Sequence, residues 1–571
     1  MITLGTRLLW ITQIPTALTH DEMAYAFEAK IESVSHLSTN PDWRPWSLVP
    51  FDKDFAELPA TLMIPAQTLF PNDPILASRI TFTILSIFFP IVLGYLAYKI
   101  FKRKDIFWGV VLLATINPWL IQYGRMAFDP YLSLFFYMLA GALFLSSKWI
   151  VVLSSSLLFA LGFFEYQGHK LLLLPWTSVL VVLSKTLGDH KNRASRVRIG
   201  VCALAVLLFT WYMTISLPKQ SASSRTQENI IFDTSLTSRV VDVSRKDTIP
   251  NPLIDLMANK WTAKMDYIVL HYLNSISPAQ LFFNANDGAS PFSVWSSGYF
   301  YLVEAIFILL GVFYIIRSKK RLGKYWPLIF MLLLAPLPAM IAIVGSSYSF
   351  KASFLYMLLI IFSGIGITEL WNRSRAALRV GIVFLVIISF SNFAYQYFFR
   401  YPVYSADGFY YYERILASYI SRIDTNLPVT VYTKEPDRLF KSYLYYSNLI
   451  STQNSEEIVN SFRNMTYSTN NVVFTADCFD PDNNAPGIVI RDVIITDCIK
   501  QPGQVVSNPD PLYFDISIAN LSDAGVKMKI SGDEVCGDLE LRSYPYARTL
   551  SHFEVEKLSD QVFCQTWMTK I

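Results

Sequence analysis

Charge is scarce in this chain. Of its 571 residues only 16% are charged, while 53% are hydrophobic and 15% aromatic, and the mean hydropathy is +0.34. A soluble protein carries about 25% charged residues, so the shortage excludes an ordinary water-soluble fold. Lys and Arg total 48 against 44 Asp and Glu, a net charge of +4. That surplus is too small to hold nucleic acid. No P-loop, no dinucleotide fingerprint and no HExxH or CxxC spacing occurs. His20, His169 and His271 are scattered. No metal site or cofactor is therefore specified, although acids alone leave a divalent metal open. No stretch combines the n-region, h-region and small-residue site of a cleavable signal peptide, and there is no internal repeat or low-complexity segment.

What is abundant is apolar sequence in long runs. Runs such as Ile80 to Tyr98 and Tyr325 to Val344 hold almost no charge and are long enough to cross about 30 Å of hydrocarbon. Apolar spans fall at 80–100, 106–122, 130–147, 149–164, 170–184, 199–217, 299–316, 325–346, 352–369 and 379–398. Backbone groups must be satisfied internally in lipid, so these are helices. Four basic clusters separate them. These are Lys102 to Lys104; Lys185, Lys191, Arg193, Arg196 and Arg198; Arg317, Lys319, Lys320, Arg321 and Lys324; and Arg373, Arg375 and Arg379. Simple alternation puts all four on one side, which the positive-inside rule makes cytoplasmic. The outer side then receives residues 13–79, the turns near Gly124 and Gln167, the loop 218–298 and the tail 399–571. Residues 1–12 are apolar but too short to span. Alternation makes them the end of a first helix whose start lies outside this sequence; a short interfacial helix is the alternative. Segment 13–79, with Trp43, Trp46 and several prolines, fits helices lying on the outer surface.

The composition changes at residue 399. Alternating stretches at 429–432, 471–474, 488–490 and 493–495 stand between Asn, Asp, Pro and Gly clusters, the pattern of a small mixed α/β domain. Cys202 lies in an apolar helix, where it packs as an inert side chain. Cys478, Cys498, Cys536 and Cys564 all fall in the tail. An even set outside the cytoplasm points to two disulfides, with four free buried thiols as the alternative. Four cysteines permit three connectivities, of which sequence-local closure favours Cys478–Cys498 and Cys536–Cys564.

The outer turns carry the chemistry-bearing residues. Asp21 and Glu22 stand at the head of the aromatic-rich first loop, where a carboxylate can act as general base toward an acceptor hydroxyl. The competing reading is a helix cap, Asp21 before a helix starting at Glu22. Arg125 and Asp129 lie four apart at a hairpin between spans, as part of a site or as an i,i+4 pair with Asp129 capping before Pro130. Lys170, after His169 in Glu165 to Lys170, is either a point charge for a phosphate or a snorkelling lysine. Lys351, in Tyr348 to Lys351, is another cation at an outer turn, and Arg79 opens the first full span. Together these acids and cations at one membrane face fit a site for a polyprenyl-phosphate-linked sugar.

The order of motifs resembles that of the membrane glycosyltransferases of the GT-C fold. It is most similar to the bacterial branch of glycosyltransferase family 39, related to protein O-mannosyltransferases and aminoarabinose transferases. The matching stretches are Ile14-Pro15 through Asp21-Glu22, Leu58-Pro59, Ser78-Arg79-Ile80, Asn117-Pro118-Trp119, Gly124 through Asp129 and Tyr166 through Lys170. Pro336-Leu337-Pro338, Tyr348 through Lys351 and Arg400-Tyr401-Pro402 complete the series. The resemblance implies an all-α polytopic membrane domain (1–398) of about ten full spans plus a partial first helix, followed by an extracytoplasmic α/β domain (399–571). It implies Asp21 as catalytic base with Glu22 beside it. It also implies that Arg79, Arg125 and Asp129 help build the site, and His169, Lys170, Tyr348 and Lys351 at the matching outer turns are the further residues expected to bind the donor. The implied reaction is an inverting hexosyl or pentosyl transfer in the plasma membrane, from a polyprenyl-phosphate donor to a protein, lipid or glycan acceptor. Three departures stand out. Glu57 replaces the family's basic residue before Leu-Pro, Tyr348 to Lys351 replaces a His-x-x-Arg pattern, and Lys170 replaces an arginine.

Two rival classes are weighed. A transporter or lipid flippase needs charged or broken helices near mid-membrane, and the spans keep their charges at their ends, with Glu304 the main exception. A membrane-anchored sensor or scaffold leaves the acids and cations of the outer turns unexplained.

Overall fold

The computed structural model describes residues 2–52, 55–186, 193–216, 234–285, 290–294, 296–343, 349–405, 407–422, 428–477, 487–492 and 514–519. Tyr348, Cys478, Cys498, Cys536 and Cys564 lie outside these residues, and so do the disulfides expected of the last four. The described chain is mostly helical, with a small sheet in its C-terminal region.

Three helices come first: α1 (Ile2–Leu8), α2 (His20–Ser35) and α3 (Pro59–Leu69). An apolar series follows: α4 (Pro74–Phe101), α5 (Lys104–Ile116), α6 (Pro118–Tyr123), α7 (Asp129–Phe144), α8 (Trp149–Glu165), the short α9 (Gln167–Lys170), α10 (Leu173–Thr186) and α11 (Arg193–Trp211). Next are α12 (Thr234–Lys246), α13 (Ile254–Met257) and α14 (Lys260–Ser275). The second apolar series is α15 (Leu302–Ile316), α16 (Lys319–Leu334), α17 (Leu337–Ile341), α18 (Ser353–Arg373) and α19 (Ala376–Tyr395). Over the described residues, each of the apolar segments read from the sequence falls mainly on helix. Five helical stretches are long and apolar enough to cross a membrane: Pro74–Phe101, Arg193–Ser216, Lys319–Ile341, Phe350–Arg373 and Ala376–Arg400. Four others, Asp129–Phe144, Trp149–Glu165, Leu173–Thr186 and Leu302–Ile316, are apolar but shorter.

Local chemistry sets the breaks. Pro118 has no N–H to continue α5 and disfavours helical backbone at Asn117. Asn117 is extended and its side chain caps α6 through Leu120 N at 3.0 Å. Packing within the bundle depends on small residues. A Cβ at Gly366 would collide with the carbonyl of Phe307, and one at Gly311 with that of Phe362, so the two glycines let α15 and α18 meet along their backbones.

The described members of the four basic clusters gather at one end of this bundle. Arg103 pairs with Glu369 at the foot of α18 and donates to the Tyr314 hydroxyl at 3.2 Å. Thr186, closing α10, donates to the carbonyl of Lys324 at 3.3 Å. The polar turns meet at the other end. There Asn117 Nδ2 donates to Tyr299 O at 3.1 Å, Gln122 Nε2 to Pro291 O at 2.7 Å, and Gln167 Nε2 to Phe55 O at 3.2 Å.

The C-terminal region begins with α20 (Tyr401–Tyr404) and α21 (Tyr411–Arg422). It continues through β1 (Val429–Tyr432), α22 (Pro436–Tyr446), α23 (Ser455–Arg463), β2 (Ser468–Thr469), β3 (Val472–Thr475), β4 (Gly487–Asp492) and β5 (Phe514–Ala519). The sheet order is β2-β3-β1-β4-β5, with β1 parallel to β3 and β4 and both edge strands antiparallel to their neighbours. Three of the alternating stretches read from sequence are these strands, and residues 493–495 lie outside the described residues. Phe440 of α22 and Phe462 of α23 pack on each other at 5.3 Å, and Phe440 on Phe474 of β3 at 5.6 Å.

This region closes over α2. Phe27 meets Phe462 at 5.1 Å, Leu18 N donates to the Tyr446 hydroxyl at 2.9 Å, and Arg463 Nη2 donates to Ser38 O at 2.8 Å. Every residue of α2 from Glu22 to Glu32 is buried. Within the segment expected to form helices on the outer surface, α2 is enclosed between α3, α4 and the C-terminal helices.

Candidate functional site

The site is built around the start of α2. The cap is Thr19, not Asp21. Glu22 N donates to Thr19 Oγ1 at 3.3 Å and Thr19 N to Glu22 Oε2 at 2.9 Å, a reciprocal capping box. The helix therefore begins before Asp21, which sits half-buried in the first turn, where the helix dipole favours an anion. Glu22 is fully buried. Its Oε1 accepts from Ala127 N at 2.7 Å and lies 3.7 Å from Arg79 Nε. This carboxylate clamps the first loop to the turn at residues 124–129.

Arg79 and Arg125 wrap the strand of chain that leads to Asp21. Arg79 Nη1 donates to Ile11 O (2.9 Å) and Pro15 O (2.8 Å), and its Nη2 to Ala17 O (2.6 Å). Arg125 reaches Thr6 O (3.0 Å) and Arg7 O (3.1 Å) through Nη1, and Leu9 O (2.6 Å) and Ile14 O (2.9 Å) through Nη2. A guanidinium among the carbonyls that end a helix both satisfies and neutralises them, so Arg125 anchors the end of α1. Arg125 also lies over the Phe398 ring at 5.2 Å. Asp129, its expected partner, accepts from the Tyr25 hydroxyl at 3.1 Å, and that hydroxyl accepts from Ala56 N at 2.9 Å.

At the neighbouring turn, Lys170 Nζ lies 2.6 Å from Glu57 Oε1, and both side chains are buried. Burial raises the Glu57 carboxyl above its usual range, and the Lys170 ammonium pulls it part of the way back. The rings of Phe163, Phe164 and Tyr212 stand 5.1–5.9 Å from the ammonium. His169 bridges two hydroxyls, with Nδ1 at 2.9 Å from Ser133 Oγ and Nε2 at 3.1 Å from Ser353 Oγ, and so ties α7 to α18. Lys351 is half-buried in the turn Ser349–Ala352. Asp21, Glu22, Arg79, Arg125, Asp129, His169, Lys170 and Lys351 thus all belong to the end of the bundle opposite the basic loops. Among the described residues no group of three His, Cys, Asp or Glu side chains is arranged to hold a metal ion.

Two features escaped the sequence reading. His20 stacks on Tyr410 with centroids 3.4 Å apart, and its Nε2 lies 3.3 Å from Glu413 Oε1. Glu413 also accepts from Ser442 Oγ at 2.5 Å and has Arg438 Nε at 2.9 Å. The contact joins positions 393 apart in the chain, for which no local pattern exists. The second is Arg7, fully buried. It had a signal, being the one charge among residues 1–12.

No family model matches the chain, and no curated protein matches it. Among solved structures it is similar to the archaeal oligosaccharyltransferase AglB from Archaeoglobus fulgidus. In complex with an inhibitory peptide and a dolichol-phosphate, that structure is 11% identical, with 86% of this chain and 68% of the other covered and a TM-score of 0.40. The apo form gives 12%, the same coverage and 0.40, and the form tethered to an acceptor peptide containing the NVT sequon gives 11%, the same coverage and 0.42. A likeness of that degree carries no argument about this chain.

Proposed function

We propose that this chain is a membrane glycosyltransferase of the GT-C type, similar to glycosyltransferase family 39. It moves a sugar from a polyprenyl-phosphate donor to a hydroxyl of a protein, lipid or glycan acceptor. The work is done at the outer face, opposite the basic loops, with inversion at the sugar carbon. Asp21 takes the proton of the acceptor hydroxyl as its oxygen bonds to the anomeric carbon. The bond from that carbon to the phosphate oxygen breaks, and the lipid phosphate leaves as an anion stabilised by nearby cations. Lys351 is the cation proposed to meet it at the surface. Glu22, Arg79 and Arg125 hold the Asp21 loop, and Asp129 holds Tyr25.

The observation that carries this reading is the contrast between adjacent carboxylates. Glu22 is enclosed and saturated by hydrogen bonds, while Asp21, in the same helical turn, keeps a partly open face. A capping role for Asp21 is displaced, because Thr19 performs it. The transporter reading loses its main support, since Glu304 sits in the first turn of α15, where its Oε2 accepts from Tyr301 N at 3.0 Å and its Oε1 from Ser363 Oγ at 3.2 Å. It is the N3 member of the capping box opened by Tyr301 and not a charge in mid-helix.

The test is Asp21→Asn in purified protein, assayed with a polyprenyl-phosphate sugar and candidate acceptors. Turnover should vanish while thermal stability stays at the wild-type value. Wild-type turnover in the variant would remove Asp21 from the mechanism.

A further inference from the structure

Beneath the Asp21 loop three guanidiniums, of Arg7, Arg79 and Arg125, share one buried neighbourhood. Among the described residues the one carboxylate in ion-pair range of them is Glu22, 3.7 Å from Arg79. Arg79 and Arg125 are hydrogen-bonded to chain carbonyls. Arg7 is not. Its Nη1 donates to Thr6 Oγ1 at 3.1 Å, and its Nε and Nη2 have no hydrogen-bond partner although the side chain is fully buried.

Two of the three phenols around Arg7 share its condition. Tyr131, Tyr301 and Tyr397 lie around the guanidinium. The Tyr131 hydroxyl lies toward Arg7 and Ser86 and the Tyr397 hydroxyl toward Arg125, but neither reaches hydrogen-bond geometry; Nε1 of Trp119, whose ring stacks on Tyr131 at 6.0 Å, is also buried without a partner. Tyr301 differs, because its hydroxyl donates to Ile116 O. The unmatched set is rich in donors, since guanidinium and indole N–H groups only donate and phenols do both. Leaving a buried cation without a counter-charge is strongly unfavourable. Water satisfies donors but does not neutralise the charge. An oxyanion does both, and Arg suits a phosphoryl group because its fork meets two oxygens at once.

The depth fits as well. Tyr131 lies in the first turn of α7, Tyr301 caps α15, Tyr397 lies just past α19, and Trp119 is in α6, after the break that ends α5. All are helix ends at the face that carries Asp21, the face proposed above to meet the lipid donor.

We propose that Arg7, with the Tyr131 and Tyr397 hydroxyls and the Trp119 indole, forms a phosphate-binding site at the outer ends of α1, α6, α7, α15 and α19. This rests on the glycosyltransferase reading only in making that phosphate the donor's or the released lipid's. Arg7 then joins Lys351 in receiving the charge leaving the sugar carbon, in a region where Lys170 is already neutralised by Glu57.

The experiment uses the full chain in phosphatidylcholine nanodiscs. Binding of undecaprenyl phosphate, uncharged undecaprenol and inorganic phosphate is measured for wild type, Arg7→Gln and Arg7→Lys, with melting curves alongside. Arg7→Gln should weaken phosphate-bearing ligands about 10-fold or more, the loss expected for one charge-assisted contact, leave undecaprenol unchanged, and be partly rescued by Arg7→Lys. If inorganic phosphate raises the wild-type melting temperature and not that of Arg7→Gln, free phosphate suffices. If only the lipid form does, the headgroup is the ligand. Unchanged phosphate binding in Arg7→Gln, or a parallel loss of undecaprenol, overturns the site and leaves Arg7 a packing residue. Should Arg7→Gln not fold, the Tyr131→Phe/Tyr397→Phe double variant is judged by the same criteria. Sugar transfer separates the two ideas. Arg7-dependent phosphate binding without any Asp21-dependent transfer sinks the enzyme reading alone, and transfer with Arg7-independent phosphate binding sinks this site alone.

Discussion

Lys170 and Glu57 form a closed ion pair, Nζ to Oε1 at 2.6 Å, with both side chains buried at the outer turn. The sequence leaves Lys170 as either a point charge for a phosphate or a snorkelling lysine, and Glu57 as an acid where the resemblance expects a base. Together each explains the other. Removing one member of a buried pair leaves an uncompensated charge, at a cost of about 3–5 kcal/mol. Lys170→Ala and Glu57→Ala should therefore each lower thermal stability sharply, and the double variant Glu57→Gln/Lys170→Met should regain most of it. The readout is a double-mutant cycle on melting temperature. If Lys170→Ala melts like wild type but binds undecaprenyl phosphate weakly, the lysine serves the ligand and the pair is incidental.

Adjacent carboxylates should behave oppositely. Glu22 closes the capping box through Thr19 N and clamps Ala127 N. Glu22→Ala strands two buried N–H groups and the Arg79 guanidinium, which should cost about 2–4 kcal/mol from unmet hydrogen bonds. Melting temperature should fall in Glu22→Ala and hold in Asp21→Asn, while turnover is lost in both. A Glu22→Ala variant as stable as wild type would contradict the clamp.

Much of this architecture is legible in the sequence because burial in a helix bundle writes itself as unbroken apolar runs, and over the described residues each such run is mainly helical. The small sheet is legible for the same reason, through alternation at Val429 to Tyr432. The roles of charged residues are not. Arg79 and Arg125 look like ligands for an anion, yet most of their N–H groups meet carbonyls of residues 6–17, contacts that span 62–119 positions. The alternative that makes Asp21 the cap of α2 lies two residues past the true cap, since Thr19 and Asp21 are both good cap types and only geometry decides. Glu413 lies too far along the chain from His20 for any spacing rule.

Stability should depend on pH through Glu28. Its carboxylate is buried, with Ser38 Oγ donating to Oε2 at 3.1 Å and the Thr39 hydroxyl to Oε1. Burial raises its pKa, and the hydrogen bonds from Thr39 and Ser38 and the charge of Lys441 offset only part of that. A folded-state value above the unfolded one, which is about 4.3, means that the folded protein holds the proton more tightly. The contribution is present below the unfolded value and is lost as pH rises through the folded one. Glu28→Gln removes that dependence. Melting curves from pH 4.5 to 8 should fall less steeply in the variant than in wild type, and parallel curves would refute the assignment.

The C-terminal helices should tune catalysis through His20. Three successive contacts grip the approach to Asp21: Arg414 Nη1 donates to Thr16 O at 2.6 Å, the Tyr446 hydroxyl accepts from Leu18 N at 2.9 Å, and Glu413 meets His20 at 3.3 Å. Glu413 is itself held by Ser442 and Arg438. Asp21 follows His20 directly, so loosening this grip shifts the base relative to the acceptor, and a displacement of about 1 Å can cost about 100-fold in rate. Glu413→Ala and His20→Ala should each lower kcat about 10-fold or more with KM little changed, and the double variant should be no worse than either single, because both break one link. Glu413→Gln, which keeps an acceptor for His20, should recover part of the rate. If the two losses multiply, or if KM rises in place of the fall in kcat, the C-terminal region contacts the acceptor itself and does not act through the position of Asp21.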